Sequence, residues 1–487
     1  MMPMTFSELR QQYPKFVFRG CTAEVRGETL FVSYDFEIPG LCRFVPKWEI
    51  PCRYADAADD PAVRRLILAL GMTELISYWK AACPPVVEVQ CMQMTPAQTD
   101  WWKQLYFGGL GEFFYRNGIE TTAADFMEIV CTGQPEDGAP GRQTLSGKLI
   151  PVGGGKDSIV TLNLLRGQLA DACAFQINHR DSAAKSALLA GIPADRMIEC
   201  RRTLDSELLR LNKEGFLNGH TPFSAVVAFS AVLTAYVNGL KTVILSNESS
   251  ASESTVSESE VNHQYSKSYQ FECDFARYER EFLRAGVEYF SLLRPLTEFQ
   301  IARYFAALPT AFHEAFRSCN AGNARGKKDM WCGKCAKCLF VSVILSPFLP
   351  YAEICRCLSA DLLNDPDAEP WLMELCGALP NKPFECVGSR NEVNIAVCLA
   401  IARMEKAGET LPLLYQHYKD SPLYAQYAPD APAFGQEWDD RHNLPGELAE
   451  LVKRECVTRF QATPHRAGGA DAQSDFSSDC MKMTPLG

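Results

Sequence analysis

The chain has 487 residues, 47% hydrophobic and 22% charged, a balance that supports a large buried core and more than one domain. A formal net charge of −11 argues against a broad nucleic-acid surface while leaving room for a local basic pocket. No apolar run reaches the ~18 residues of a membrane span, and MMPMTFSELRQQYPKF lacks the build of a secretory signal. The 20 cysteines are therefore expected to be reduced thiols of a cytoplasmic protein.

Residues 1–145 are expected to form an N-terminal α+β domain. TLFVSYDFEI alternates apolar and polar residues, as a half-buried strand does, and PAVRRLILALGMTELISYWKAA has helical spacing. TDWWKQLYFGGLGEFFYRNGI is aromatic-rich with a glycine break, and GQPEDGAPGR (133–142) has the composition of a linker. Residues 146–300 alternate strand and helix: KLIPV, DSIVTLNLLRGQ, ACAFQIN, DSAAKSALLAG, MIECRR, HTPFSAVVAFSAVLTAYVNG and KTVILSN. Repeated β-α-β units with nearly continuous apolar strands predict a parallel sheet with helices on both faces. In the long apolar helix, Thr221 fits the N-cap and Pro222 the first helical position. Residues 301–455 are mainly helical behind a cysteine cluster. The 456–487 tail lacks apolar periodicity and is expected to be disordered. The fold class is thus α/β, with the parallel-sheet domain flanked by an N-terminal α+β domain and a C-terminal helical domain.

In LIPVGGGKDS (149–158) an apolar strand ends in three glycines and a helix follows. Ligands of parallel sheets bind beyond the carboxyl ends of the strands. Gly153, Gly154 and Gly155 permit positive φ and the close approach of an anion. The N–H groups and dipole of the next helix favour negative charge there. Lys156 adds a cation and Ser158 a hydroxyl, while Asp157 could cap the helix or hold a metal ion bridging phosphates. The pattern is neither GxxxxGK followed by Ser or Thr, nor GxGxxG. A glycine-rich turn without a ligand is the alternative. Asn247 and Glu248, in KTVILSNESSASES, fall where a second strand end would meet nucleotide or substrate, unless the segment is a solvated polar loop.

CNAGNARGKKDMWCGKCAKCLF contains Cys319, Cys332, Cys335 and Cys338. Two overlapping CxxC spacings and a fourth upstream cysteine can surround one tetrahedral Zn²⁺; an iron–sulfur cluster or plain core cysteines are the alternatives. Such a zinc would be structural, since four thiolates leave no position for water. Between the cysteines, Arg325, Lys327 and Lys328 form a basic patch able to receive phosphates or carboxylates of a substrate, or else a solvated charged loop. In VNHQYSKSYQFECDF, His263, Lys267 and Glu272 are acid–base candidates. Cys355, Cys357 and Cys376 are expected in the core, and Arg390 at a helix start.

The form strand–GGGKDS–helix resembles the pyrophosphate loop, SGGxDS, of the N-type ATP pyrophosphatases, with Gly153 at the position of the first serine. The segment SLLRPLTEFQIARYF resembles the one that follows the sheet in those enzymes, without its usual lysine. Three features narrow the resemblance: WWKQLYFGGLGEFFYRN, then PVGGGKDSIV with SNESSASES and NHQYSKSYQFE, then WCGKCAKCLF. Together they resemble the MurL-type UDP-N-acetylmuramoyl-L-alanyl-L-glutamate epimerases over about residues 25–450. The resemblance implies an adenine nucleotide alpha hydrolase-like domain and an ATP- and Mg²⁺-dependent epimerase of peptidoglycan precursor synthesis. Such an enzyme adenylates the terminal carboxylate of a UDP-muramoyl dipeptide, releases AMP and pyrophosphate, and inverts L-Glu to D-Glu. Its proton-transfer groups would come from His263, Lys267, Glu248 and Glu272. Another carboxylate-adenylating enzyme, like those making 7-cyano-7-deazaguanine, also fits the loop and the cysteines. A zinc-stabilised interaction protein without ATP turnover is the non-enzymatic alternative.

Overall fold

A computed structural model describes residues 4–249, 265–322 and 329–461. Its centre is one eleven-stranded sheet. The strands are β1 (Lys15–Arg26), β2 (Thr29–Ile38), β3 (Cys42–Phe44), β4 (Lys47–Pro51), β5 (Val86–Val89), β6 (Glu128–Cys131), β7 (Lys148–Pro151), β8 (Ala172–Ile177), β9 (Met197–Thr203), β10 (Thr242–Leu245) and β11 (Glu288–Ser291). They lie in the order β11-β10-β7-β8-β9-β4-β2-β1-β5-β6, with β3 beside β2.

Among themselves, the strands β7 to β11 pair only in parallel. Counted from β7 in chain order, they stand as 5-4-1-2-3 across the sheet. This is a doubly wound arrangement whose order reverses between β7 and β10, and ligands of such sheets bind at that switch point. Each strand sends alternate side chains to opposite faces. Leu149, Cys173, Phe175, Val243 and Tyr289 enter one core, with the helices Pro61–Trp79 and Phe223–Val237. Ile150, Ala172, Ala174, Ile244 and Phe290 enter the other, with the helices Lys156–Leu164, Glu298–Ala306, Ala336–Leu345 and Arg390–Ala407. Both faces are covered, which explains the continuous apolar runs.

The sheet does not stop at residue 146. Strand β4 pairs antiparallel with β9 through Lys47↔Thr203, Trp48↔Arg202 and Glu49↔Arg201, so the N-terminal strands extend the parallel sheet. The Arg202 guanidinium donates to the fully buried Glu74 at 2.5 and 2.8 Å, and Trp48 Nε1 donates to the same carboxylate at 2.7 Å. The Gly- and Pro-rich stretch 133–142 has no regular structure, yet it is strapped to the body. Arg65 donates to the carbonyls of Asp137 and Ala139, and Arg284 to that of Gly138.

The Thr221 cap is not formed. The helix starts at Phe223, Pro222 occupies the cap position without a side-chain bond, and Thr221 instead accepts from Phe223 N through its carbonyl at 2.6 Å. Its neighbour His220 faces Glu112 at 3.8 Å. Arg390 does open a helix, capped by Ser389 with Glu392. Cys376 is buried, whereas Cys355 and Cys357 are partly exposed. Of the tail expected to be disordered, residues 456–461 are instead helical and bury Cys456 and Val457, and 462–487 lie outside the described residues.

Candidate active site

Strand β7 ends at Pro151 and the helix Lys156–Leu164 starts with Gly155 as its N-cap. Gly154 has φ +81°, and a Cβ there would collide with Ser182 Oγ. No side chain fits this position, so glycine is required by both conformation and space. Gly153 differs: a Cβ on it meets nothing within 4 Å. Ser158 donates its hydroxyl to the Gly155 carbonyl at 3.0 Å, closing the first turn.

Lys156 is 3% exposed, and its ammonium binds both Asp157 and Glu298. Glu298 arrives from the helix Glu298–Ala306 and is itself 2% exposed. Burial alone would depress the Lys156 ammonium, but the two carboxylates outweigh it and hold its pKa above the usual lysine range. Burial likewise opposes ionisation of Asp157, yet Lys156, Lys337 and Lys267 prevail and keep its carboxyl below the usual range. Glu298 goes the other way. Burial, which Lys156 only partly offsets, together with Asp157 and Glu248, pushes it up to about 7. One cation thus serves two acids, whose carboxyls are shifted in opposite directions.

Around this pair stand further charges. Glu248, 5% exposed, follows β10, and Asn247 beside it donates to Ser291 Oγ at 3.2 Å. Lys267 Nζ is 3.1 Å from Cys386 Sγ, and Lys337 Nζ donates to the Cys386 carbonyl. Burial works against the Lys267 ammonium, but Cys386 and Glu248 hold it above the usual range. Arg294, 1% exposed, knits the layer behind. It donates to the carbonyls of Glu248 and Lys267 at 2.7 Å and to Glu272 at 3.0 and 3.2 Å. Glu272 is 1% exposed and also accepts from Asn443 Nδ2 at 3.0 Å, so its carboxylate is occupied in holding the framework.

The cysteine segment sits on the glycine loop. Arg317 N donates to the Gly154 carbonyl at 2.7 Å, and Ser318 Cβ would lie 3.5 Å from a Cβ on Gly155. Asp329 accepts from Ser182 N, at the start of the helix Asp181–Ala190, at 2.6 Å. The sulfurs of Cys319, Cys332, Cys335 and Cys338 all lie within 4.8 Å of one another, with separations of 3.8, 3.7 and 3.5 Å for the Cys319–Cys335, Cys332–Cys338 and Cys335–Cys338 pairs. Four sulfurs ~2.3 Å from a tetrahedral zinc stand about 3.8 Å apart, so the donor set fits that ion. Gly333, at φ +64°, makes the turn between the CxxC ligands.

Of the expected site residues, the structure brings together Lys156, Asp157, Glu248 and Lys267 at the carboxyl edge of β7 and β10. His263, Arg325, Lys327 and Lys328 lie outside the described residues. Glu298, Lys337 and Cys386 were not foreseen. Glu298 lies in SLLRPLTEFQIARYF, where nothing in the residues singles it out, and Lys337 and Cys386 carry no local signal.

Strand order, a glycine loop at the switch point and a buried charged cluster beneath it define a doubly wound α/β protein with its site at the carboxyl edge. The MurL N-terminal domain matches residues 7–292 and the MurL C-terminal domain residues 315–428. Curated relatives named UDP-N-acetyl-alpha-D-muramoyl-L-alanyl-L-glutamate epimerase are similar along most of the chain. The one from Xanthomonas oryzae pv. oryzae is 34% identical over 402 residues, 81% of this chain and 88% of its own. That from Salinispora tropica is 33% identical over 451 residues, 86% of this chain and 95% of its own. No solved structure matches. The chain belongs to the MurL family and is an enzyme of the isomerase class.

Proposed function

We propose that the protein inverts the terminal L-Glu of UDP-MurNAc-L-Ala-L-Glu to D-Glu, with ATP as co-substrate, in peptidoglycan precursor synthesis. The observation that carries the substrate is similarity along 81–86% of the chain to relatives bearing that name. Chemistry supplies the need for ATP. The α-proton beside a carboxylate is a very weak acid, because its removal sets a second negative charge next to the first. The glutamate nitrogen is in a peptide bond, so no imine can form there. Adenylation of the α-carboxylate removes its charge and lets a general base take the proton. Pyrophosphate leaves in the adenylation step, a proton returned to Cα on the opposite face inverts the centre, and water then cleaves the acyl–AMP bond, giving AMP and the inverted acid.

The glycine loop is the candidate cradle for the phosphates. Around it, Ser182 Oγ, Ser318 Oγ and Asp329 Oδ1 are buried and have no hydrogen-bond partner among the described residues. Buried polar atoms are nearly always paired, so these favour a ligand at the loop. Lys156, the first residue of the helix that follows the loop, is the candidate cation for the phosphate oxygens. Asp157 and Glu248 are the carboxylates suited to Mg²⁺, whose chemistry is to neutralise the departing pyrophosphate. The four cysteines would hold a structural zinc that clamps the segment Arg317–Asn320 on the loop.

The test combines purified protein, ATP, Mg²⁺ and UDP-MurNAc-L-Ala-L-Glu. AMP and pyrophosphate are followed, and the glutamate's chirality is determined after hydrolysis. D-Glu formed in step with AMP supports the reading. AMP formed only with a different carboxylic acid would keep the loop chemistry and sink the epimerase, and D-Glu formed without ATP would sink the adenylation.

A further inference from the structure

We propose that Cys386 is a proton-transfer group of the epimerisation and that Lys267 is the residue that positions it; this rests on the function proposed above. Cys386 lies in PFECVGS (383–389), between the helices Glu369–Cys376 and Arg390–Ala407. Its partner Lys267 comes from the other side of the site, 119 residues earlier in the chain, at 3.1 Å from the sulfur. The segment is fixed over the charged cluster at three points. Lys337 Nζ holds the Cys386 carbonyl. Glu385 accepts from Asn320 Nδ2 at 2.7 Å, next to the ligand candidate Cys319. Gly388 is pressed on Glu298, so that a Cβ there would come within 3.2 Å of the glutamate Cβ. The thiol is thus held beside the cluster that contains Lys156, with part of its surface open.

A second, independent observation marks the glycine loop, which leads into Lys156 of this cluster, as a ligand site. Ser182, 4% exposed, has a hydroxyl without a partner among the described residues, and it is aimed at Gly154. The buried cysteines of the apolar core serve as small hydrophobes. Cys386 instead meets a lysine ammonium, the kind of surrounding that stabilises a thiolate and makes it a base. In the step, the thiolate takes the α-proton of the activated glutamyl group. An S–H bond forms, the Cα–H bond breaks, and the electron pair is delocalised into the acyl carbonyl. An exchangeable acid on the opposite face returns a proton to Cα, and the thiol later loses its own to solvent. Nothing is oxidised or reduced.

The test runs wild type, Cys386→Ser, Cys386→Ala, Lys267→Met and Lys267→Arg with ATP, Mg²⁺ and UDP-MurNAc-L-Ala-L-Glu in D₂O. AMP release, D-Glu and deuterium at Cα are read separately. Both Cys386 variants are expected to release AMP while D-Glu formation falls by about 10²–10⁴-fold, the usual worth of a general base. Lys267→Met should slow D-Glu formation and also slow iodoacetamide labelling of the Cys386 peptide at fixed pH, with Lys267→Arg restoring the labelling. Full epimerisation by Cys386→Ala would overturn the proposal. Loss of AMP release together with D-Glu in a folded Cys386 variant would also overturn it, since that outcome gives the residue a role in nucleotide binding or structure. Wild type that makes no AMP and no D-Glu would overturn the underlying function instead, and the two failures are therefore distinct.

Discussion

Glu298 and Gly154 show how single residues set this site. Burial pushes the Glu298 carboxyl from its ordinary 4.5 up to about 7. An acid whose folded pKa is raised contributes stability that is full below its unfolded pKa and is lost as pH rises through the folded value. Glu298→Gln removes this dependence. Relative to wild type, the variant should therefore gain stability between about pH 4.5 and 7 and then level off, which thermal melts at half-unit steps would read. A constant difference across that window would mean that Glu298 titrates like an ordinary glutamate. The loop glycines give a paired prediction. Gly154→Ala sets a Cβ against Ser182 at a positive φ and should abolish ATP-dependent AMP release. Gly153→Ser places a side chain in open space and restores the hydroxyl of the resembled loop, so AMP release should persist. Equal loss in both variants would show that the loop tolerates no side chain at all, contrary to the geometry.

At the level of elements, the cysteine segment and the glycine loop act as one unit. Arg317 N on the Gly154 carbonyl and Ser182 N on Asp329 join the two, one bond on each side of the cluster. A zinc held by Cys319, Cys332, Cys335 and Cys338 would order that segment, because binding energy at such sites is folding energy. Purified protein should therefore carry one zinc per chain by elemental analysis. Its removal by a chelator should raise amide exchange at 153–158 and 317–320 while leaving β1 and β2 protected. Metal-free protein with unchanged exchange at the loop would separate the two elements. The elements themselves were legible in the sequence wherever the signal is local. The apolar runs of β7, β8 and β10, the glycine turn and the CxxC spacing each depend on neighbours along the chain. Glu298, Lys337 and Cys386 were not legible, because they reach the site from separate helices and loops and each looks ordinary within its own segment. Glu272 looked catalytic for the same reason: its partner Arg294 lies 22 residues away and is revealed only by folding.

At the level of the whole molecule, the continuous sheet decides how the parts depend on one another. The glycine-rich stretch 133–142 suggests a boundary by composition, yet strand pairing joins the segments on its two sides in one sheet. Sheet continuity cannot be read from composition, since the β4–β9 pairing joins segments about 150 residues apart by backbone bonds alone. Glu74 is the buried side chain at this seam, binding Arg202 of β9 and Trp48 of β4. Glu74→Gln leaves the Arg202 guanidinium buried without its counter-charge, a change that costs about 3–5 kcal/mol in comparable pairs. If the N-terminal strands and the parallel strands fold as one unit, that loss is felt by both. Denaturant unfolding can be followed by the fluorescence of Trp48, Trp79, Trp101 and Trp102, which belong to the N-terminal part, in a variant whose other tryptophans are replaced by Phe. It can also be followed by loss of ATP-dependent AMP release, which reports the glycine loop. The two curves are expected to coincide in the otherwise intact protein, and Glu74→Gln should move both to lower denaturant by the same amount. Fluorescence shifting while the loop's transition stays in place would mean that the seam is only a contact between independently folding halves, and that the site does not need the first 145 residues to hold its shape.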